Sequence, residues 1–111
     1  MQNNFTQRKC IPCEGIGKPL EQKFIDEYLE SIPLWKQTAD SLSIERVFHF
    51  DDFKTGLLFV NKVGEIAEGD GHHPDIFLTY TKVTLTLSTH ALGGLTENDF
   101  IVASKIDEIG K

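Results

Sequence analysis

The run Val83-Thr84-Leu85-Thr86-Leu87-Ser88-Thr89-His90 alternates along its length. Only an extended strand sorts such a run onto two faces. Val83, Leu85, Leu87 and Thr89 then point one way, and Thr84, Thr86, Ser88 and His90 the other. A strand with one apolar face is unstable by itself; it needs neighbouring strands and a cover over that face. Three further stretches supply candidate neighbours. Ile76–Thr81 lies just upstream and is rich in β-branched and aromatic residues. Lys82 leaves the run unbroken, so a bend or bulge, not a full hairpin turn, is expected between the two. Ile44–Phe50 alternates as well, with Ile44, Arg46, Phe48 and Phe50 on one side. Trp35–Ala39, followed by a turn at Asp40-Ser41, pairs with it as a hairpin.

The cover comes from segments of helical period. Pro19 can open a helix in which Leu20, Phe24, Ile25, Tyr28, Leu29 and Ile32 form one apolar stripe, and Pro33 stops it. Asp51 and Asp52 cap a second helix, whose positions Phe53, Leu57, Val60, Val63 and Ala67 follow helical spacing. Gly69 and Gly71 are expected to end it. After Gly93-Gly94, Thr96 with Asp99 three residues on forms a variant of the capping box. Val102, Ala103, Ile106 and Ile109 give that helix its apolar side. The order α-β-β-α-β-β-α implies an α+β fold, a four-stranded antiparallel sheet with helices packed on one face. At 111 residues the chain is expected to form a single domain over 19–111, behind a polar, loosely ordered leader at 1–18.

The charge narrows the partners. A net charge of −6 with scattered Lys and Arg argues against nucleic acid. No apolar run approaches the roughly 20 residues of a membrane span, and the polar start lacks the core of a signal peptide. A cytoplasmic location is the expectation. Cys10-Ile11-Pro12-Cys13 leaves three readings open: half of a zinc site, a redox dithiol, or two plain thiols. No second CxxC or His-x(3–5)-His completes a zinc site, and no strand precedes Cys10 as a redox motif would require.

The chemistry-bearing side chains gather between Glu68 and Asp99. His72 and His73 lie in the loop beyond the second helix, stiffened by Pro74, and His90 ends the polar face of a strand beside Ser88. Imidazoles titrate near neutrality, so three of them offer proton donors and acceptors, and Glu68 and Asp99 can orient them. There is no nucleophile elbow and no glycine-rich phosphate loop. The residues alone point to metal-free acid–base catalysis on a small, neutral or weakly anionic ligand. Surface histidines beside a glycine-rich loop are the plain structural alternative. His49, among aromatic neighbours, reads as structural.

The pattern Ala67-Glu68-x(3)-His72-His73-Pro74-Asp75-x-Phe77-x(2)-Tyr80-x-Lys82-Val83-x(3)-Leu87-Ser88-Thr89-His90, then Gly94-Leu95-Thr96-Glu97-x-Asp99, resembles the signature of the pterin-4a-carbinolamine dehydratases. The likeness extends upstream through Trp35-Lys36 and the Phe48–Phe53 run, and covers roughly residues 14 to 107. It implies an α+β sandwich that dehydrates 4a-hydroxytetrahydropterin to quinonoid dihydropterin, with no metal or organic cofactor. By this resemblance His72, His73, His90, Asp99 and Glu68 are the candidate catalytic residues, with His72 and His90 as acids. His73, Pro74, Ser88 and Thr89 are candidates for holding the pterin. The implied partners are the pterin, an aromatic amino acid hydroxylase in the same pathway, and further copies of the chain in a homodimer or homotetramer.

One departure is Ile76, where members of the family often carry tryptophan. Two other function classes follow from the sequence. One is a protein-binding role of the kind by which some animal members stabilise a transcription factor dimer. The other is a zinc module joining the cysteine pair to the histidines.

Overall fold

The computed structural model describes residues 4–110. Helix α1 spans Gln22–Leu29, α2 Phe53–Asp70 and α3 Glu97–Ile109. The strands are β1 at Lys36–Gln37, β2 at Ile44–His49, β3 at Asp75–Thr79 and β4 at Lys82–Leu87. They form one antiparallel sheet in the order β1-β2-β4-β3. This is the α+β class expected from the pattern of elements.

The sheet's register explains its buried face. Ile44 lies opposite Leu87, and Phe48 opposite Val83. All four are buried, together with Leu85, while Glu45, Val47 and His49 on the other face are exposed. Phe59 and Val63 of α2, Ile25 of α1 and Phe100, Ile101, Val102 and Ile106 of α3 complete the core. Burial of this apolar surface drives the assembly. Two hydrogen bonds then fasten the far end of α3. Asp107 accepts from Trp35 Nε1 at 2.7 Å and from Arg46 at 2.6 Å.

Local signals set most of the boundaries. Asp52 caps α2 by accepting from the Thr55 N–H at 2.8 Å. Its exposed carboxyl titrates below the usual range, because the hydroxyl and backbone of Thr55 both hydrogen-bond the ionised form. Gly71 ends the helix with φ 66°. Gly69, expected to help end it, lies inside the last turn. Helix α1 begins later than the sequence suggests: Glu21 is still extended, and the Leu20 N–H is given to the Leu95 carbonyl at 2.7 Å.

Two expectations need correction. The link between β3 and β4 is a tight hairpin, with Thr79 paired to Lys82 and only Tyr80 and Thr81 between them. Tyr80 takes φ 49°, a conformation that usually calls for glycine or asparagine, so no turn residue announced it. The leader is also far from detached. Phe5 is buried against Tyr28 and Phe100, and Arg8 pairs with Glu97 at 2.6 Å. The contacts to Phe100 and Glu97 reach across some 90 residues of chain, which no local pattern reveals.

Candidate active site

The site forms where α2 ends and α3 begins. The left-handed Gly71 turns the chain out of α2, and the His72 N–H closes back onto the Ala67 carbonyl at 3.2 Å. That bond fixes the backbone from which the His72 ring projects. The ring is nearly covered, with its side chain 10% exposed, and its Nε2 lies 2.6 Å from Asp99 Oδ1.

Asp99 is fully buried. A carboxylate in that position is costly unless its oxygens are satisfied, and here both are. Oδ2 accepts from the Thr96 N–H at 2.9 Å and from the Thr89 hydroxyl at 2.9 Å, and Oδ1 faces His72. The Thr96 bond belongs to the capping box that starts α3. One carboxylate therefore begins a helix and orients an imidazole. With Nε2 engaged, Nδ1 is the ring nitrogen left to meet a ligand, and Asp99, which can only accept, holds a proton on Nε2.

His73 is different. Its Nε2 lies 2.7 Å from Glu68 Oε1, but the two side chains are 59% and 80% exposed. The pair sits in water and steers the ring with little stabilisation. His90 leads a single helical turn, His90–Leu92, just past β4. The Ser88 hydroxyl lies 3.3–3.4 Å from its two ring nitrogens. Thr89 and Gly94 exchange backbone hydrogen bonds at 2.8 and 3.4 Å, so the loop carrying His90 is closed at its base.

The structure thus gathers His72, Asp99 and Thr89 into one bonded network, with His73–Glu68 and Ser88–His90 as separate pairs. Thr89, expected to hold ligand, instead turns inward and is spent on Asp99 and on Thr96 at 2.8 Å. Pro74 links His73 to β3. Two buried polar residues escaped the sequence reading. Asp70 accepts from Lys105 at 2.7 Å, and Asn98 bonds the leader. A signal for Asp70 was present, since it falls in helical step with Val63 and Ala67 on the buried face of α2. No group of three His, Cys, Asp or Glu side chains among the described residues is arranged to hold a metal ion.

An apolar groove of about 320 Å³ lies nearby, with Ile11, Pro19, Leu20, Phe24 and Ile101 in its walls. It reaches the site only through the first turn of α3. Glu97 on that rim is partly buried, which would raise its carboxyl. Hydrogen bonds from Arg8 and Tyr28 outweigh this and hold it below the ordinary range.

An antiparallel α+β sandwich with a histidine braced on a helix-capping carboxylate, and two more histidines on flanking loops, is a defined class of site. The model of the family described as pterin 4 alpha carbinolamine dehydratase matches residues 18–109. A protein of Halorhodospira halophila named "Putative pterin-4-alpha-carbinolamine dehydratase" is 40% identical over 107 residues, covering 96% of this chain and 98% of its own. One of the same name from Alkaliphilus metalliredigens is 42% identical, covering 96% of each. A crystal structure of a transcriptional coactivator/pterin dehydratase from Brucella melitensis superposes with TM-score 0.81 at 33% identity, covering 85% of this chain and all of that one. The fold is shared further, at TM-score 0.59 and 22% identity, with a pterin dehydratase-like RuBisCO assembly factor of the alpha-carboxysome, covering 68% of this chain and 88% of that one. The chain belongs to the pterin 4 alpha carbinolamine dehydratase family.

Proposed function

We propose that this chain dehydrates 4a-hydroxytetrahydropterin to quinonoid dihydropterin and water by histidine acid–base catalysis, returning a spent reduced-pterin cofactor to use. The observation that carries this reading is His72, held by a fully buried carboxylate with one ring nitrogen left over. In the reaction an acid protonates the C4a hydroxyl, the C–O bond breaks and water leaves. The N5 lone pair forms the new C4a–N5 double bond as N5 gives up its proton. The nitrogen already pushes electrons toward the leaving group, so general acid–base help of about 10²–10⁴-fold suffices.

In this reading His72 and His90 serve as the acids, His72 as the imidazolium that gives its Nδ1 proton while Nε2–H stays on Asp99, so that hydroxyls on either face of the ring can be reached from the end of α2 and from just past β4. His73, steered by Glu68, holds the pterin beside Pro74, and Ser88 orients His90. No step uses a metal or an organic cofactor. The test is the dehydration rate of freshly generated 4a-hydroxytetrahydropterin, followed by absorbance, for wild type and His72→Ala. Wild type is expected to exceed the uncatalysed rate and the variant to lose most of that gain. A wild-type rate equal to the uncatalysed one would sink the proposal.

A second reading is a protein-binding role, favoured by the double description of the Brucella relative as coactivator and dehydratase. Replacing His72 separates the two, since binding survives that change. Self-association as a homodimer or homotetramer goes with either reading. Edge strand β3, with exposed Ile76 and Phe77, is the natural joint. Light scattering of the purified chain tests it.

A further inference from the structure

The leader crosses the same gap that the His72–Asp99 pair spans. At Cys10 the backbone N–H is given to Asp70 Oδ1 at 3.0 Å. One residue on, Ile11 and Asn98 bond each other twice: Ile11 N–H to Asn98 Oδ1 at 3.1 Å, and Asn98 Nδ2 to the Ile11 carbonyl at 2.7 Å. The Cys10 thiol adds a contact to the Asn98 carbonyl at 3.5 Å.

The anchor points are the telling feature. Asp70 lies in the last turn of α2, two residues before His72, and Asn98 lies in the first turn of α3, next to Asp99. Asp70 is itself held by Lys105 of α3 at 2.7 Å and its side chain is only 5% exposed. The helix ends that carry the imidazole and the carboxylate are therefore tied together by the leader and by Lys105, in parallel with the His72–Asp99 bond. A working constellation must hold its geometry to within about 0.5 Å, and residues behind it supply that constraint.

We propose that the leader segment Cys10–Ile11 is a clasp that sets the His72–Asp99 geometry, with Asn98 and Asp70 as positioning residues. Neither residue is needed as an acid or a base. Asn98 has no titratable group, and Asp70 is engaged by Lys105 and the leader. Their effect passes through His72. Without the clasp, the start of α3 can drift from the end of α2 and the bond at Asp99 loosens. The ring then divides its proton between Nε2 and Nδ1.

The test is Asn98→Ala in the full chain, with the ring nitrogens of His72 followed by ¹⁵N NMR and with kcat and KM measured separately. The clasp predicts a folded protein whose His72 shifts away from the Nε2–H tautomer. It also predicts a kcat lowered by about ten-fold, the scale of losing a residue that orients a reacting group, while KM moves little. Unchanged His72 signals in a folded Asn98→Ala protein would overturn it. Should Asn98→Ala fail to fold, Ile11→Pro, at an exposed position just before Pro12, removes the N–H given to Asn98 together with the Ile11 side chain, and is read the same way against Ile11→Ala, which keeps that N–H. The activity readout rests on the dehydratase reading, but the tautomer readout needs no substrate. An inactive wild type with a shifted His72 in the variant would end that reading and leave the clasp standing. An active wild type with an undisturbed His72 would do the reverse.

Discussion

Replacing Asp99 with Asn separates the two tasks of one carboxylate. The side chain keeps its shape but has one acceptor oxygen where there were two. If the amide oxygen takes the place of Oδ2, it still accepts from the Thr96 N–H and the Thr89 hydroxyl, both now at 2.9 Å. The amide NH₂ then faces His72 Nε2, which must become an acceptor. The opposite orientation sets NH₂ against the Thr96 N–H, donor against donor, and is disfavoured. The neutral ring is thus driven to carry its proton on Nδ1, and the imidazolium, which is a donor at both nitrogens, meets the amide NH₂ donor against donor. What is lost is a charge-assisted hydrogen bond of 2.6 Å in a dry site. Such bonds are worth about 1.5–3 kcal/mol. At 1.36 kcal/mol per factor of ten, the rate of dehydration should fall by about 10–150-fold. The helix cap survives in neutral form, so stability should drop by only about 1–2 kcal/mol, and urea denaturation should show a folded protein. A folded Asp99→Asn protein with the wild-type rate would refute the idea that Asp99 acts through His72.

Three further outcomes are expected. His73→Ala should raise KM for the pterin more than it lowers kcat, with stability moved by less than about 0.5 kcal/mol because its pair with Glu68 is exposed. Steady-state kinetics and a denaturant titration decide this. Alkaline pH should destabilise the protein. Burial, with the charge of Asp70, pushes the Cys10 thiol up to about 12, and burial, with the hydrogen bond to Glu97, pushes Tyr28 up to about 12. In the unfolded chain they ionise near their ordinary values of 9.0 and 10.0. Their contribution is intact below pH 9 and is lost as pH rises toward 12. Cys10→Ala should flatten the decline in urea midpoint over that window, and an unaltered decline would contradict the assignment. Finally, Gly71→Ala should cost about 1 kcal/mol, because its φ is +66°, while Gly69→Ala should gain about 0.5–1 kcal/mol, since a Cβ there meets nothing within 4 Å. Calorimetric melting of the two variants checks the pair.

The sequence made legible whatever is decided within a few residues. The Asp52 cap and the Thr96–Asp99 box are local chemistry, and each appears where it was read, whereas the stripe read along α2 is rotated: Phe53 and Leu57 are exposed, and Gly56 and Phe59 share the buried face with Val63 and Ala67. The alternation from Val83 to Leu87 appears as β4, but the strand stops there, and His90 starts a short helical turn just past it instead of ending the strand's polar face. What stayed hidden depends on distance or on a rare conformation. Tyr80 bears no mark of a turn residue, so the hairpin was missed. Phe5 in a polar leader gives no hint that it packs on Phe100. Asn98 beside Asp99 looked like an ordinary first-turn residue, because its partners Cys10 and Ile11 lie 88 and 87 residues away. At the candidate site, the residue types were evident from spacing. That Asp99 is the braced carboxylate and Glu68 the exposed one was not, since burial is a property of the assembled fold.

The closed loop from Thr89 to Gly94 has a consequence for where this chain can be cut. Gly94 presses on Pro19, so closely that a Cβ there would lie 3.0 Å from the proline ring. The Leu20 N–H is fastened to Leu95 just beyond. The footing of the His90 loop is therefore built from residues that precede the first helix. A fragment beginning at Gln22 would keep all three α-helices, every strand and all four histidines, yet leave His90 on a loop with one wall missing. The segment that looks most dispensable on a linear map is, in space, part of the floor beneath the candidate site.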